Sequence, residues 1–163
     1  MACRGVLFAL TNEQERALLG AHNDDDLKEC IEEIEESWDE ETLQETDKKW
    51  DAIHRCLSDG SLNLEAGTYP LNRCILGGRH LYKGDDYIIA FVSAAEVRDL
   101  ARVLPEVTQD EFRERYDSLT TTDYEGFVSS DDFEYTWWYF EEIRDFYQRA
   151  AEAKRSVVFT VDQ

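Results

Sequence analysis

The chain has 163 residues, with 37 Asp and Glu against 17 Lys and Arg, for a formal net charge of -20 at pH 7. That balance excludes nucleic acid as a default partner, because a phosphate backbone would be repelled rather than neutralised. Hydrophobics at 42% and aromatics at 12% exclude a disordered acidic tail and predict one domain, 1–163, with a real core.

In chain order, Arg4 to Leu10 predicts a buried strand. Thr11 opens a helix, with Gln14 completing a capping box, and Gly20 ends it. Asn23 or Asp24 caps a second helix running to Ser37, with Leu27, Cys30, Ile31 and Ile34 as its narrow apolar stripe. A third helix is expected from Thr46 to Leu57, stopping at Asp59-Gly60. Irregular chain follows through Tyr69-Pro70, then the apolar run Cys74-Ile75-Leu76, halted by Gly77-Gly78. Tyr87 to Val92 predicts a strand. The capping boxes Ser93/Glu96 and Thr108/Glu111 open helices that reach Val103 and Tyr116. After a polar loop, the longest helix is expected from Asp131 to Lys154, and Ser156 to Val161 closes the chain as a strand. Terminal strands separated by runs of helices predict an α+β fold, with a small mixed sheet packed against about six helices.

The acid is unevenly spread: Asp24 to Asp47 holds 13 acidic residues and one base, Lys28. The four cysteines, Cys3, Cys30, Cys56 and Cys74, form no CxxC pair and read as thiols of a reducing cytoplasm. Met1 to Leu10 has one base and a short apolar run, wrongly flanked for a signal peptide, and no segment approaches a membrane span. The expected location is therefore cytoplasmic, with no membrane partner. No motif calls for a cofactor or a metal.

Three groups of residues bear on function. In Asp47-Lys48-Lys49-Trp50-Asp51-Ala52-Ile53-His54, helical spacing sets Trp50, Ile53 and Leu57 on one stripe, with His54 at its edge and Asp47 and Asp51 beside it. A histidine between a buried face and two carboxylates suits a general base with an orienting acid. The plainer reading is a partly buried histidine satisfied by Asp51 or a backbone carbonyl, favoured because no nucleophile or second histidine accompanies it. Arg73, ahead of the Gly77-Gly78 turn, suits an anion, but matches no phosphate-binding fingerprint; pairing with a carboxylate of the third helix is the plainer reading. The long helix carries a core stripe of Phe133, Trp137, Phe140, Ile143, Tyr147 and Ala150. Trp138 projects opposite that stripe, among Glu134, Glu141, Glu142 and Asp145. Trp38 lies among Glu35, Glu36, Asp39, Glu40 and Glu41. A tryptophan amid carboxylates suits an interface anchor for a basic partner, or else a ring folded over an apolar gap beneath solvated acids.

The segments Asp47-Lys48-Lys49-Trp50-Asp51 with Ile53-His54, and Pro70-Leu71-Asn72-Arg73-Cys74-Ile75-Leu76-Gly77, resemble the YfbM-like bacterial family of unknown function. Arg4-Gly5, Phe112-Arg113-Glu114-Arg115-Tyr116-Asp117 and the final helix plus strand fall in the family's order. The resemblance implies a single cytosolic bacterial α+β domain and brings no activity or catalytic residue. The chain departs from the pattern by heavier acidity before Asp47.

Charge, small size, the lack of a catalytic constellation and the two acid-flanked tryptophans together favour a non-enzymatic protein-binding module. An immunity- or antitoxin-type inhibitor covering the positive cleft of a basic toxin fits this description. The alternatives are an enzyme centred on His54, Asp51 and Arg73, and a housekeeping domain whose acidity serves solubility.

Overall fold

Side chains alternate along the strands, and that alternation sets the architecture. The computed structural model describes residues 3–163; the part of the leader reading that rests on Met1 and Ala2 lies outside them. Five strands, β1 (Gly5–Ala9), β2 (Leu43–Asp47), β3 (Arg79–His80), β4 (Tyr87–Val92) and β5 (Val157–Asp162), form one sheet in the order β2-β1-β5-β4-β3. Leu7, Ala9, Ala90, Val92, Val157, Phe159 and Val161 face one core, whereas Phe8, Ile89, Phe91 and Val158 face another. Each face needs a cover of helices. The helices α1 (Asn12–Leu19) and α2 (Asp24–Ser37) cover the second face through Leu18, Leu27, Ile31 and Ile34. The larger core lies beneath α3 (Trp50–Leu57), α4 (Ala94–Val103), α5 (Gln109–Asp117) and α6 (Ser130–Glu152). The fold is therefore α+β, as expected, with the sheet lying between two layers of helices.

Every pairing in the sheet is antiparallel, where a mixed sheet was expected. The reason lies in the connections. The chain leaves β4 at Val92 and, after three helices, re-enters the sheet at Val157, the residue opposite Val92. Val157 also stands opposite Ala9, so the terminal strand fills the centre of the sheet, antiparallel to both neighbours.

Local signals were accurate where caps carried them. All three expected capping boxes are made, on Thr11, Ser93 and Thr108, and Asn23 caps α2. In α6 the core face is Phe133, Thr136, Phe140, Ile143, Phe146, Tyr147 and Ala150, with Trp137 partly buried. The Phe112 ring of α5 stands among Phe133, Trp137 and Phe140 at centroid distances of 6.2, 5.4 and 5.0 Å. Tyr147 Oη donates to the Cys74 carbonyl at 2.6 Å and so ties α6 to the apolar run before Gly77.

The expectation of a helix from Thr46 is corrected: Leu43–Asp47 is a strand, and α3 begins at Trp50. Thr46 Oγ1 donates to the Gly5 carbonyl at 2.7 Å, holding β2 onto β1. Asp47 then takes a left-handed backbone (φ 48°), a conformation an aspartate tolerates, and the chain turns into α3. Gly5 opposite is required by packing, because a Cβ there would lie 2.4 Å from the Phe159 ring.

Candidate functional site

Almost all of α3 is inside the protein. Trp50, Ala52, Ile53, His54, Arg55, Cys56 and Leu57 are buried, so its polar groups must find partners within the fold. His54 is 1% exposed, and its Nε2 lies 3.4 Å from the Asn63 carbonyl oxygen. Burial lowers its pKa, outweighing that carbonyl and the nearby charge of Asp51. Asp51 is engaged elsewhere: its Oδ1 accepts from Arg55 Nε at 2.6 Å. The same guanidinium donates through Nη1 to Asp123 at 2.6 Å and to the Gly60 carbonyl at 3.2 Å, and it stands over the Tyr124 ring. Arg55 thus takes the orienting carboxylate assigned to His54, and sequence reasoning passed it by. Its signal was the i, i+4 spacing of Asp51 and Arg55 on one helix.

Asp47 does not join this helix face. At the end of β2, its carboxylate accepts from Tyr135 Oη at 2.8 Å and pairs with Arg4 at 3.4 Å. Asp47, Asp51 and His54 therefore do not act together: a strand end and a helix interior hold Asp47 apart from the other two. No group of three or more His, Cys, Asp or Glu side chains is poised for a metal among the described residues.

Arg73 sits in the 3-10 turn Leu71–Arg73, after a cis Tyr69–Pro70 bond. Its Nη1 donates to the Gly77 carbonyl, its Nε lies 3.2 Å from Glu96 Oε2, and its guanidinium stands over the Tyr69 ring. The carboxylate partner belongs to α4 rather than to the third helix. Gly77 is where the backbone folds onto itself, since a Cβ there would lie 1.9 Å from the Asn72 carbonyl oxygen. The side chains of Asn72, Arg73 and His80, the Gly77-Gly78 backbone and Asn63-Leu64-Glu65 line a groove of about 710 Å³. His80 Nε2 meets the Leu76 carbonyl at 2.6 Å. His54 reaches this region only through the Asn63 carbonyl, so His54, Asp51 and Arg73 do not converge on one reacting position.

The two acid-flanked tryptophans have different surroundings. Trp38 ends α2 with a left-handed backbone (φ 29°), and its ring packs edge-on to Phe8 at 6.2 Å while remaining 41% exposed. Around it, Glu36, Asp39, Glu40 and Glu41 are exposed. Glu35 instead faces the sheet, where its carboxylate accepts from Tyr87 Oη at 2.6 Å and from Thr160 Oγ1 at 3.3 Å. Trp138 stands on α6, across the sheet from α2, and is 51% exposed. It packs edge-on to Tyr139, which in turn packs against Tyr135, at 4.9 and 5.1 Å. Sequence reasoning missed these two tyrosines, although positions 135, 138 and 139 share a helix face. Glu134 and Asp145 are exposed on the same helix, and Glu141 and Glu142 are half-buried, Glu141 lying 3.6 Å from Arg144.

Comparison with known proteins places the fold. The solved structure of YfbM from Escherichia coli, a protein of unknown function, superimposes with a TM-score of 0.72. The match covers 97% of this chain and 99% of that one at 19% identity, which establishes similarity of fold alone. No functionally curated protein matches the chain. The family model of a domain of unknown function, DUF1877, matches residues 1–160; the chain belongs to that family.

Proposed function

We propose that the protein is a non-enzymatic acidic module that binds a basic protein in a reducing cytoplasm, in the manner of an immunity protein or antitoxin covering a toxin's positive cleft. The observation that carries this reading is the aromatic row on α6, exposed Tyr135 and Trp138 with half-buried Tyr139, set beside Glu134, Glu141, Glu142 and Asp145 in a chain of net charge -20. Exposed aromatics anchor interfaces through burial, and the surrounding carboxylates speed and orient encounter with a cationic partner. Trp38, with Glu36, Asp39, Glu40 and Glu41, is a second and smaller anchor, partly committed to Phe8.

The test is a pull-down from the native host, followed by affinity measurement on the partner it recovers. Binding should weaken as salt rises, because exposed charges act over about 8 Å at physiological ionic strength. Trp138→Ala should fold normally and cost the complex about 2 kcal/mol or more, as a hot-spot aromatic does. Charge reversal at Glu134 and Asp145 should mainly slow association. An interaction indifferent to both salt and Trp138 would remove the basis for the reading.

A further inference from the structure

The sheet ends in two unlike edges. β3 offers only Arg79 and His80, whereas β2 runs for five residues, Leu43–Asp47, and pairs with β1 alone among the described residues. An edge strand is a template for a further strand, and proteins commonly close it with lysine or proline. β2 carries neither; its charges are Glu45 and Asp47, and its one irregularity lies at the Asp47 end, opposite Gly5 and Val6. The register says which backbone groups face outward. Ala9 N–H donates to the Thr42 carbonyl at 2.8 Å, in line with the pairs Phe8–Leu43, Leu7–Gln44 and Val6–Glu45. Bonded and non-bonded pairs alternate in an antiparallel ladder, so Gln44 bonds to β1 while Leu43 and Glu45 turn their N–H and C=O groups to the open side. The Gln44 side chain agrees with this: its Nε2 donates to the Glu45 carbonyl at 3.0 Å.

The two acid-flanked aromatic groups lie on either side of this edge. On one side α6 follows β2: Tyr135 donates to Asp47 at one end, and Phe146 and Arg149 stand beside Thr42 at the other. Tyr139, packed on Tyr135, and Glu142 fall between them on the helix. On the other side Trp38 packs on Phe8, the residue opposite Leu43, and Glu45 shares the face of Leu43 by alternation. A single extended chain laid along β2 would touch both layers. Charge chooses that chain. Asp39, Glu40, Glu41 and Glu45 are exposed in and before the strand, against Lys48 and Arg149 as the exposed bases nearby. A second copy would bring like charges together across the strands, with -20 on each side. Lys or Arg side chains instead meet carboxylates and can stack on the aromatic rings. Resting on the proposed basic protein partner, we propose that this partner contributes an extended segment bearing Lys or Arg, which adds to the open edge of β2 as a further strand of the sheet.

The experiment is ¹⁵N NMR of the full chain at low salt, following the backbone amides of Leu43 and Glu45. The probe is a capped heptapeptide of alternating lysine and valine. Its controls are the same peptide with glutamate for lysine, a form N-methylated at the valines and a form N-methylated at the inner lysines. Saturable shifts of both amides are expected with the lysine peptide below about 10 mM. The glutamate peptide and at least one methylated form should bind about tenfold more weakly or worse, since the first reverses the charge and the second removes donors from the strand. Glu45→Pro removes an outward N–H that β1 does not use and should weaken binding by a similar factor, beyond the loss seen with Glu45→Gln. If Glu45→Pro fails to fold, the methylated peptides on the wild type decide. The proposal is overturned if the lysine peptide leaves both amides unmoved, if the glutamate peptide or both methylated forms bind as well, or if folded Glu45→Pro binds unchanged. Self-association that shifts the same amides would give the edge to a second copy and overturn it too. The pull-down tests the basic partner and the peptides test the edge, so a salt-sensitive, Trp138-dependent complex that spares β2 refutes strand addition alone.

Discussion

Replacing His54 by Gln tests whether the core of α3 holds a neutral imidazole. Glutamine keeps a donor near the Asn63 carbonyl but takes up no proton in this pH range. In the wild type, burial lowers the His54 pKa; Arg55 acts in the same direction, while the Asn63 carbonyl, Asp51 and Asp59 oppose it. The unfolded chain, with an imidazole near 6.5, then binds the proton more tightly than the folded one. Stability from this group is therefore fully present above about pH 6.5 and is lost as pH falls below it, levelling off once the folded pKa is passed. One proton changes stability by at most about 1.36 kcal/mol per pH unit, so acidification from about pH 7.5 to 5.5 removes no more than about 1.4 kcal/mol through His54. Urea unfolding followed by tryptophan fluorescence, in which buried Trp50 reports on α3, measures both proteins across that range. The stability advantage of wild type over His54→Gln should shrink on acidification by up to that amount. A difference that stays flat, or widens toward low pH, would mean that His54 is charged in the folded protein and that the reasoning is wrong.

Burial also governs the thiols: it pushes Cys56 up to about 12, and complete burial raises Cys74 further. Both should resist a thiol reagent in the native protein and react on unfolding, as mass spectrometry of alkylated peptides would show; fast native labelling of either would contradict their placement. Gly77→Ala forces a methyl to 1.9 Å from the Asn72 carbonyl oxygen. It should destabilise by roughly 1–3 kcal/mol or more, as overpacking does, and an unchanged melting temperature would show that this turn can relax.

What the sequence determined by itself was whatever a few neighbouring residues decide. Thr11/Gln14, Ser93/Glu96 and Thr108/Glu111 set helix starts because an N-cap and its reciprocal partner lie three residues apart, so no distant contact is needed. The apolar run Tyr87–Val92 supplied residues of both cores and the 3.6-residue stripe from Phe133 to Ala150 one wall of the larger, and the motif order identified the family. The tertiary structure decided the rest. Leu43–Asp47 is too polar to read as a strand and becomes one because β1 offers an edge, with Gly5 admitting the Phe159 ring and accepting from Thr46. Asp51 could serve His54 or Arg55 at nearly the same helical spacing, and burial of the guanidinium beside Gly60 and Asp123 gave it to Arg55. Glu35 and Trp38 stand three residues apart, yet contacts with β4 and β5 turn one toward the sheet while the other remains at the surface. Pairing between strands and competition for a buried charge depend on residues far apart in the chain, and local pattern carries no record of which of them meet.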